Sequence, residues 1–145
     1  MQYQRVRTLA PDEAGYLAGI IDGEGTITLS RRHAGDHRQL VVSVSSTERC
    51  ILEWILGTVA AGKITGKRTT SPRHSAGYTY AICNRQALDL LAQVVCHLHS
   101  YKRKRADLIL RQYLELTPRN GRYTADLLRR RSEFETELLG IKARH

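Results

Sequence analysis

The sequence is short of acid, of cysteine and of proline, and it has no long apolar run. Its 14 Asp and Glu stand against 23 Lys and Arg, a formal net charge of +9, which points to a polyanionic partner or to a solubilising basic surface. The 3 cysteines, Cys50, Cys83 and Cys96, are odd in number, widely spaced and without a paired Cys/His pattern. That supports neither a disulfide framework nor a zinc site, and it leaves reduced thiols that are expected to be buried. With only 3 prolines, 41% hydrophobic and 26% charged residues, the chain has the composition of an ordinary folded domain. The N-terminal MQYQRVRTLAPDE carries no apolar signal core, and the most hydrophobic stretches are broken well short of a membrane span. A soluble, intracellular protein with no membrane partner is expected. At 145 residues one core fits and a second would be crowded, so residues 1–145 are read as a single domain.

The pattern along the chain predicts alternating helices and hairpins. Ala10-Pro11-Asp12-Glu13 reads as a helix start, with the apolar pattern running to Ile21 before Gly23 and Gly25 stop it. From Thr26 the period becomes two. Ile27 and Leu29 alternate with Thr28 and Ser30, Ala34-Gly35-Asp36 turns the chain, and Leu40, Val42 and Val44 alternate with Gln39, Val41, Ser43 and Ser45. Ser45, Ser46 or Thr47 caps a second helix, with Ile51, Leu52, Ile55, Leu56 and Val59 at helical spacing. A second hairpin follows, from Lys63 to Thr70 and from Tyr78 to Cys83 around residues 71–77. Asn84 then caps a third helix carrying Leu88, Leu91, Ala92, Val95 and Leu98. Two more helices, at about Arg105–Leu116 and Thr124–Leu139, flank a Pro- and Gly-containing turn at residues 117–121. Between Gly25 and Arg85 nine Lys/Arg face three acids, so the strands form the phosphate-facing surface in this reading.

The segment from Tyr16 to Gly25, YLAGIIDGEG, is odd for a surface helix because apolar and tiny residues occupy nearly every side of it. Gly15 and Gly19 stand four apart with Ala14 and Ala18 beside them, which allows another helix backbone close approach. Asp22 and Glu24 then place two carboxylates at the partially negative C-terminal end of a helix, where cations are the favoured charge. A divalent cation accounts for such a pair, because carboxylate and free carbonyl oxygens are what magnesium prefers.

This segment resembles the defining motif of the LAGLIDADG homing endonucleases. It matches at Leu17, Ala18, Gly19, Ile21, Asp22 and Gly25, with Gly23-Glu24 in place of Ala-Asp. The resemblance covers roughly Ala10 to Leu116. It implies an α+β fold, an αββαββα core with a four-stranded antiparallel DNA-binding saddle, and additional C-terminal helices at about 117–145. It also implies a metal-dependent endonuclease of the intron-homing kind that hydrolyses double-stranded DNA at a long, pseudo-palindromic target. A single motif implies a homodimer, with Gly15, Ala18, Gly19 and Asp22 at its helix–helix interface. Glu24 takes the place of the catalytic, metal-binding acid, with the Gly23 carbonyl also facing the metal. Mg²⁺ is the implied cofactor, and Mn²⁺ or Ca²⁺ is able to occupy the same place. Lys102 resembles the lysine that holds a phosphate or water, with Lys104 its nearest rival. Ser46 and Arg49 complete the implied catalytic set, although the family often carries Gln or Asn where Ser46 stands.

The saddle's outward side chains read the major groove in this family, where every base pair presents a distinct donor and acceptor pattern. With Ile27 and Leu29 inside, Thr28, Ser30 and Arg32 face the DNA, as do His37, Gln39, Val41 and Ser43. On the second hairpin Ile64 inside puts Lys63, Thr65, Lys67 and Arg68 outside. Tyr78 and Tyr80 are read as outward, although Thr79 and Ala81 look too small to fill an interior. Two other readings use the same fold: an intron RNA maturase and a non-cleaving DNA-binding regulator. Loss of the motif acid is the expected mark of the latter, and here the acid is present. His33, His74, His97, His99 and His145 form no catalytic or zinc pattern.

Overall fold

The computed structural model describes residues 5–31, 33–67 and 77–144. The elements are α1 (Pro11–Glu24), β1 (Gly25–Ser30), β2 (Gln39–Ser46), α2 (Arg49–Val59), β3 (Lys63–Lys67), β4 (Gly77–Cys83), α3 (Asn84–Val94), a 3-10 turn (Val95–His97), α4 (Tyr101–Gln112) and α5 (Ala125–Gly140). This is the expected αββαββα order followed by two helices, an α+β architecture. The strands form one antiparallel sheet in the order β1-β2-β4-β3, so the two hairpins meet along β2 and β4, with Val42 opposite Ile82 and Val44 opposite Tyr80.

Period-two alternation fixes the two faces of the sheet. Ile27, Leu29, Leu40, Val42, Val44, Tyr80 and Ile82 are each at most 2% exposed. Against them lie Leu17, Ala18 and Ile21 of α1, Leu52, Ile55 and Val59 of α2, Leu90, Leu91 and Val94 of α3, and Ala106 and Ile109 of α4, all in one core. The helix α5 adds Phe134 and Leu138 to that core. Its buried Arg131 clamps the turn before it, donating to the Leu116 carbonyl and Thr117 hydroxyl, and to the carbonyl of Arg38 beyond β1.

Two glycines are required by space. At Gly25 an added Cβ would lie 2.7 Å from the Ile21 Cα, so the chain can pass directly from helix to strand there only without a side chain. At Gly62 the backbone has φ +99° and a Cβ would fall 2.7 Å from the Tyr80 ring, a conformation and a clash that glycine alone avoids.

Several expectations are corrected. The helix α1 runs on to Glu24, three residues past its apolar pattern, and α4 starts at Tyr101, four residues before the expected Arg105. Asn84 does not cap α3 through its side chain. It holds φ +54°, and its Oδ1 accepts the Tyr113 hydroxyl at 3.0 Å. The Ser46 hydroxyl accepts the Glu48 N–H at 3.0 Å, ahead of α2. Cys50, Cys83 and Cys96 are exposed, not buried. Tyr80 is not an outward residue: it is 1% exposed and its hydroxyl donates to the Ala61 carbonyl at 2.7 Å. Its ring is large enough to fill the space beneath the β3–β4 pair, and the alternation therefore puts Thr79 and Ala81 outside. The turn expected at 71–77 falls almost wholly outside the described residues, and among the described residues no helix is long and apolar enough to cross a membrane. Tyr80→Phe removes one buried hydrogen bond without emptying the core, and is expected to lower unfolding stability by about 1 kcal/mol in a urea titration, whereas an unchanged midpoint would mean that the hydroxyl contributes nothing.

Candidate active site and nucleic-acid interface

The junction of α1 and β1 is held by a reciprocal clasp with the start of α4. Asp22, in the last turn of α1, accepts the N–H of His99 at 2.9 Å, the N–H of Ser100 at 3.1 Å and the Ser100 hydroxyl at 2.5 Å. Ser100 is the N-cap of α4, and its hydroxyl accepts the Lys102 N–H. In return the Lys102 ammonium, 7% exposed, donates to the carbonyls of Ile21 at 2.8 Å and Asp22 at 2.9 Å. Each helix end thus receives the charge that its dipole favours: a carboxylate at the N-terminus of α4 and an ammonium at the C-terminus of α1.

The clasp accounts for Asp22 without a ligand, because its carboxylate is engaged within the chain by His99 and Ser100. Burial pushes the Asp22 carboxyl up. The hydrogen bonds from Ser100 and His99, with Lys102 nearby, outweigh it and hold the group below its ordinary value of 3.8. Burial lowers the Lys102 ammonium, opposed by the charges of Asp22 and Glu24.

Glu24 differs from Asp22. It is exposed and forms no hydrogen bond or ion pair with a described residue, although its charge is felt at Lys102. It stands immediately before β1, whose Gly25 pairs with Val44, so the last residues of β2 lie beside this helix end. Gly23 is exposed, with open space around it. Ser46 and Arg49 make no bond to Glu24. Arg49 is instead held by Glu53 at 2.9 Å and lies over the Tyr78 ring, 5.0 Å from its centroid. Among the described residues no group of three or more His, Cys, Asp and Glu stands together to hold a metal by itself.

Along α1, Gly19 and Gly23 lie on one exposed stripe with Tyr16, which is 55% exposed and packs edge-on against Trp54. Ala18 is not on that stripe, being 0% exposed in its own core. Gly15 faces inward enough that a Cβ would approach His97 at 3.9 Å.

The outward face of the sheet carries Thr28, Ser30, Gln39, Val41, Ser43, Lys63 and Thr65, exposed or half-exposed. It also carries residues that the sequence reading missed, among them Thr26, Ser45, Thr79 and Ala81. Ser45 and Thr79 share a hydrogen bond of 2.8 Å. Alternation from Ile82 was the signal that could have found the last two. Tyr78 is half-buried against the core. His37 precedes β2 and stacks on Tyr123. Lys104 lies away from the sheet, on the exposed side of α4 near Gly140–Arg144. Lys67 ends β3, whereas Arg32 and Arg68 lie outside the described residues.

These features define an α+β domain whose polar, outward sheet is flanked by a helix end bearing an exposed carboxylate that has no hydrogen bond or ion pair among the described residues. No family model and no curated protein matches the sequence, but the fold is that of the LAGLIDADG homing endonucleases. The homing endonuclease I-CvuI, in complex with its DNA target, superposes with a TM-score of 0.73 at 18% identity over 91% of this chain and 83% of its own. The archaeal intron-encoded I-Vdi141I gives 0.60 at 18% identity over 92% and 86%. The meganuclease I-AabMI gives 0.59 at 22% identity over 84% of this chain but only 43% of its own.

Because the carboxyl of Asp22 is depressed in the folded state, its stabilising contribution is present above its ordinary value and is lost as pH falls through the lower folded value. Asp22→Asn should therefore be less stable than the parent at neutral pH, with the gap in urea midpoint closing as pH drops below about 4. A gap that stays constant through that range would rule out the charged clasp.

Proposed function

We propose that the protein is a site-specific, divalent-metal-dependent endonuclease of double-stranded DNA, of the homing type, acting as a homodimer. The observation that carries this reading is Glu24, an exposed carboxylate with no hydrogen bond or ion pair among the described residues, at the motif position and beside the polar face of the sheet. The fold neighbours that are DNA complexes support duplex binding, and the I-CvuI complexes obtained with calcium or magnesium support use of a divalent cation. The chain is read as one unit, with the core at about 10–116 and the helical extension at 117–145.

One carboxylate per chain cannot form a closed protein cage, but it suits magnesium, which keeps several waters and takes one or two carboxylates together with substrate phosphates. Glu24 and the Gly23 carbonyl would hold the ion, with the other ligands drawn from DNA, water and the second protomer; Mn²⁺ and Ca²⁺ fit the same oxygen set. When bound, the ion supplies an activated water and neutralises charge on the cleaved phosphate. Lys102 fixes the end of α1 with two of its three N–H donors and keeps the third for a phosphate or water. Ser46 and Arg49 are assigned to the border of the site, Arg49 oriented by Glu53 and Tyr78. Base reading is assigned to Thr28, Ser30, Gln39, Val41, Ser43, Lys63 and Thr65, joined by Thr79.

Pairing through α1 is supported by its exposed Gly19 and Gly23, which let a second backbone approach. Neighbours such as I-AabMI, more than twice the matched length, have room for two such units in one chain. Gly19→Leu is expected to shift the protein from dimer to monomer in sedimentation while its far-UV circular dichroism stays that of the parent, and a dimer that persists would remove α1 from the interface.

The decisive test is cleavage of a randomised duplex library with Mg²⁺, run beside Glu24→Gln and a metal-free control. Cutting at one enriched, pseudo-palindromic sequence, abolished in both controls while Glu24→Gln still binds, is the expected result. Binding with no Glu24-dependent cutting would transfer the protein to the regulator or maturase reading.

A further inference from the structure

We propose that the cleft at the outer end of the β1–β2 hairpin, opposite the end that carries Glu24, is a phosphate-binding site. A cavity of about 760 Å³ opens there between the β1–β2 turn, the β4–α3 junction and the loop joining α4 to α5. Each of these segments sends one arginine to it, Arg38, Arg85 and Arg119 in turn, and Arg131 of α5 lines it as well. Asp36 is the one acid among its lining residues. None of the four arginines forms a salt bridge with a described residue.

Arg131 carries the argument furthest. It is 2% exposed, yet among the described residues its guanidinium is held only by neutral oxygens, those of Leu116, Thr117 and Arg38, and its Nε–H has no hydrogen-bond partner. The face of the Tyr113 ring, 5.2 Å away, offsets the charge only in part. A buried cation without a counter-charge is costly and is ordinarily paired. An anion in the adjoining cleft supplies the missing charge, and planar guanidinium forks match the oxygens of phosphate in particular. The loops carrying Arg38 and Arg119 are tied together by His37 and Tyr123, whose rings stack 4.1 Å apart, so these arginines stand on joined backbone.

Two sources offer this chemistry. Gln39, the first outward residue of β2, also lines the cleft, so a duplex lying along the outward strands passes it and can place a backbone phosphate there; that source rests on the nuclease reading. The other source is a free phosphate or nucleotide, for which the cleft needs no duplex.

The test compares the full chain with Arg85→Gln/Arg119→Gln, and with Lys63→Gln on the sheet face. Thermal melting establishes that each variant is folded. One arm measures the salt dependence of affinity for a random-sequence duplex, and the other titrates pyrophosphate calorimetrically. Each phosphate contact contributes about 0.9 to the slope of log affinity against log salt, so loss of two contacts should flatten it by about 2. That result identifies a backbone phosphate. Pyrophosphate binding lost in the double variant with the duplex slope unchanged identifies a free phosphate. A double variant that matches the parent in both arms overturns the proposal. Failure of the nuclease reading is a separate result, an absence of duplex binding by the parent and Lys63→Gln alike, and the pyrophosphate arm then decides alone.

Discussion

The arrangement of the domain depends on the clasp between the end of α1 and the beginning of α4. Lys102 donates to two carbonyls in the last turn of α1, and Asp22 accepts the N–H groups of His99 and of the N-cap Ser100 where the chain enters α4. The charges are opposite to one another and each is suited to the dipole it meets. Because Gly25 turns the chain into β1 with no room for a side chain, fixing the end of α1 also fixes the start of the first strand. Glu24 is caught between these two constraints. It is presented outward on rigid backbone while Asp22, two residues earlier, is turned inward.

This division of labour between two acids in one helix turn explains a local conflict. Carboxylates at a helix C-terminus are unfavourable, and among the described residues only Asp22 of the two is hydrogen-bonded. Natural sequences tend to break local rules where function demands it, and Glu24 is the residue here whose placement intramolecular stability does not account for. The same logic applies at the far end of the sheet, where Arg131 is buried among neutral oxygens. It locks the helix α5 to the β1–β2 turn, so the C-terminal helix braces the strands.

The charge distribution gains meaning from this geometry. Lys63 projects from a sheet face otherwise lined mainly with threonine, serine and glutamine, with Val41 and Ala81 among them, while the arginines gather at the end of the hairpin. A face of short hydroxyl and amide groups suits hydrogen-bonded reading of base edges, whereas guanidiniums suit the backbone around it.

The element order, the motif helix and the inward set of β1 and β2 were legible in the sequence because they rest on local periodicity. Ile27, Leu29, Leu40, Val42 and Val44 announce their face unaided. The pair Tyr78 and Tyr80 did so less plainly, since an aromatic ring suits either a core or a polar partner; alternation from Ile82 points Tyr80 inward, and the pairing of β4 with β2 and β3 fixes it there. Local pattern likewise showed two acids at the end of a helix, but not that Asp22 belongs to His99 and Ser100, which stand 77 and 78 residues away. By itself the sequence determined which residues form helices and strands and where an unusual carboxylate falls. Tertiary structure alone decided which polar groups are used up within the chain and which remain for a ligand, because hydrogen bonds between distant segments follow from packing and leave no periodic mark.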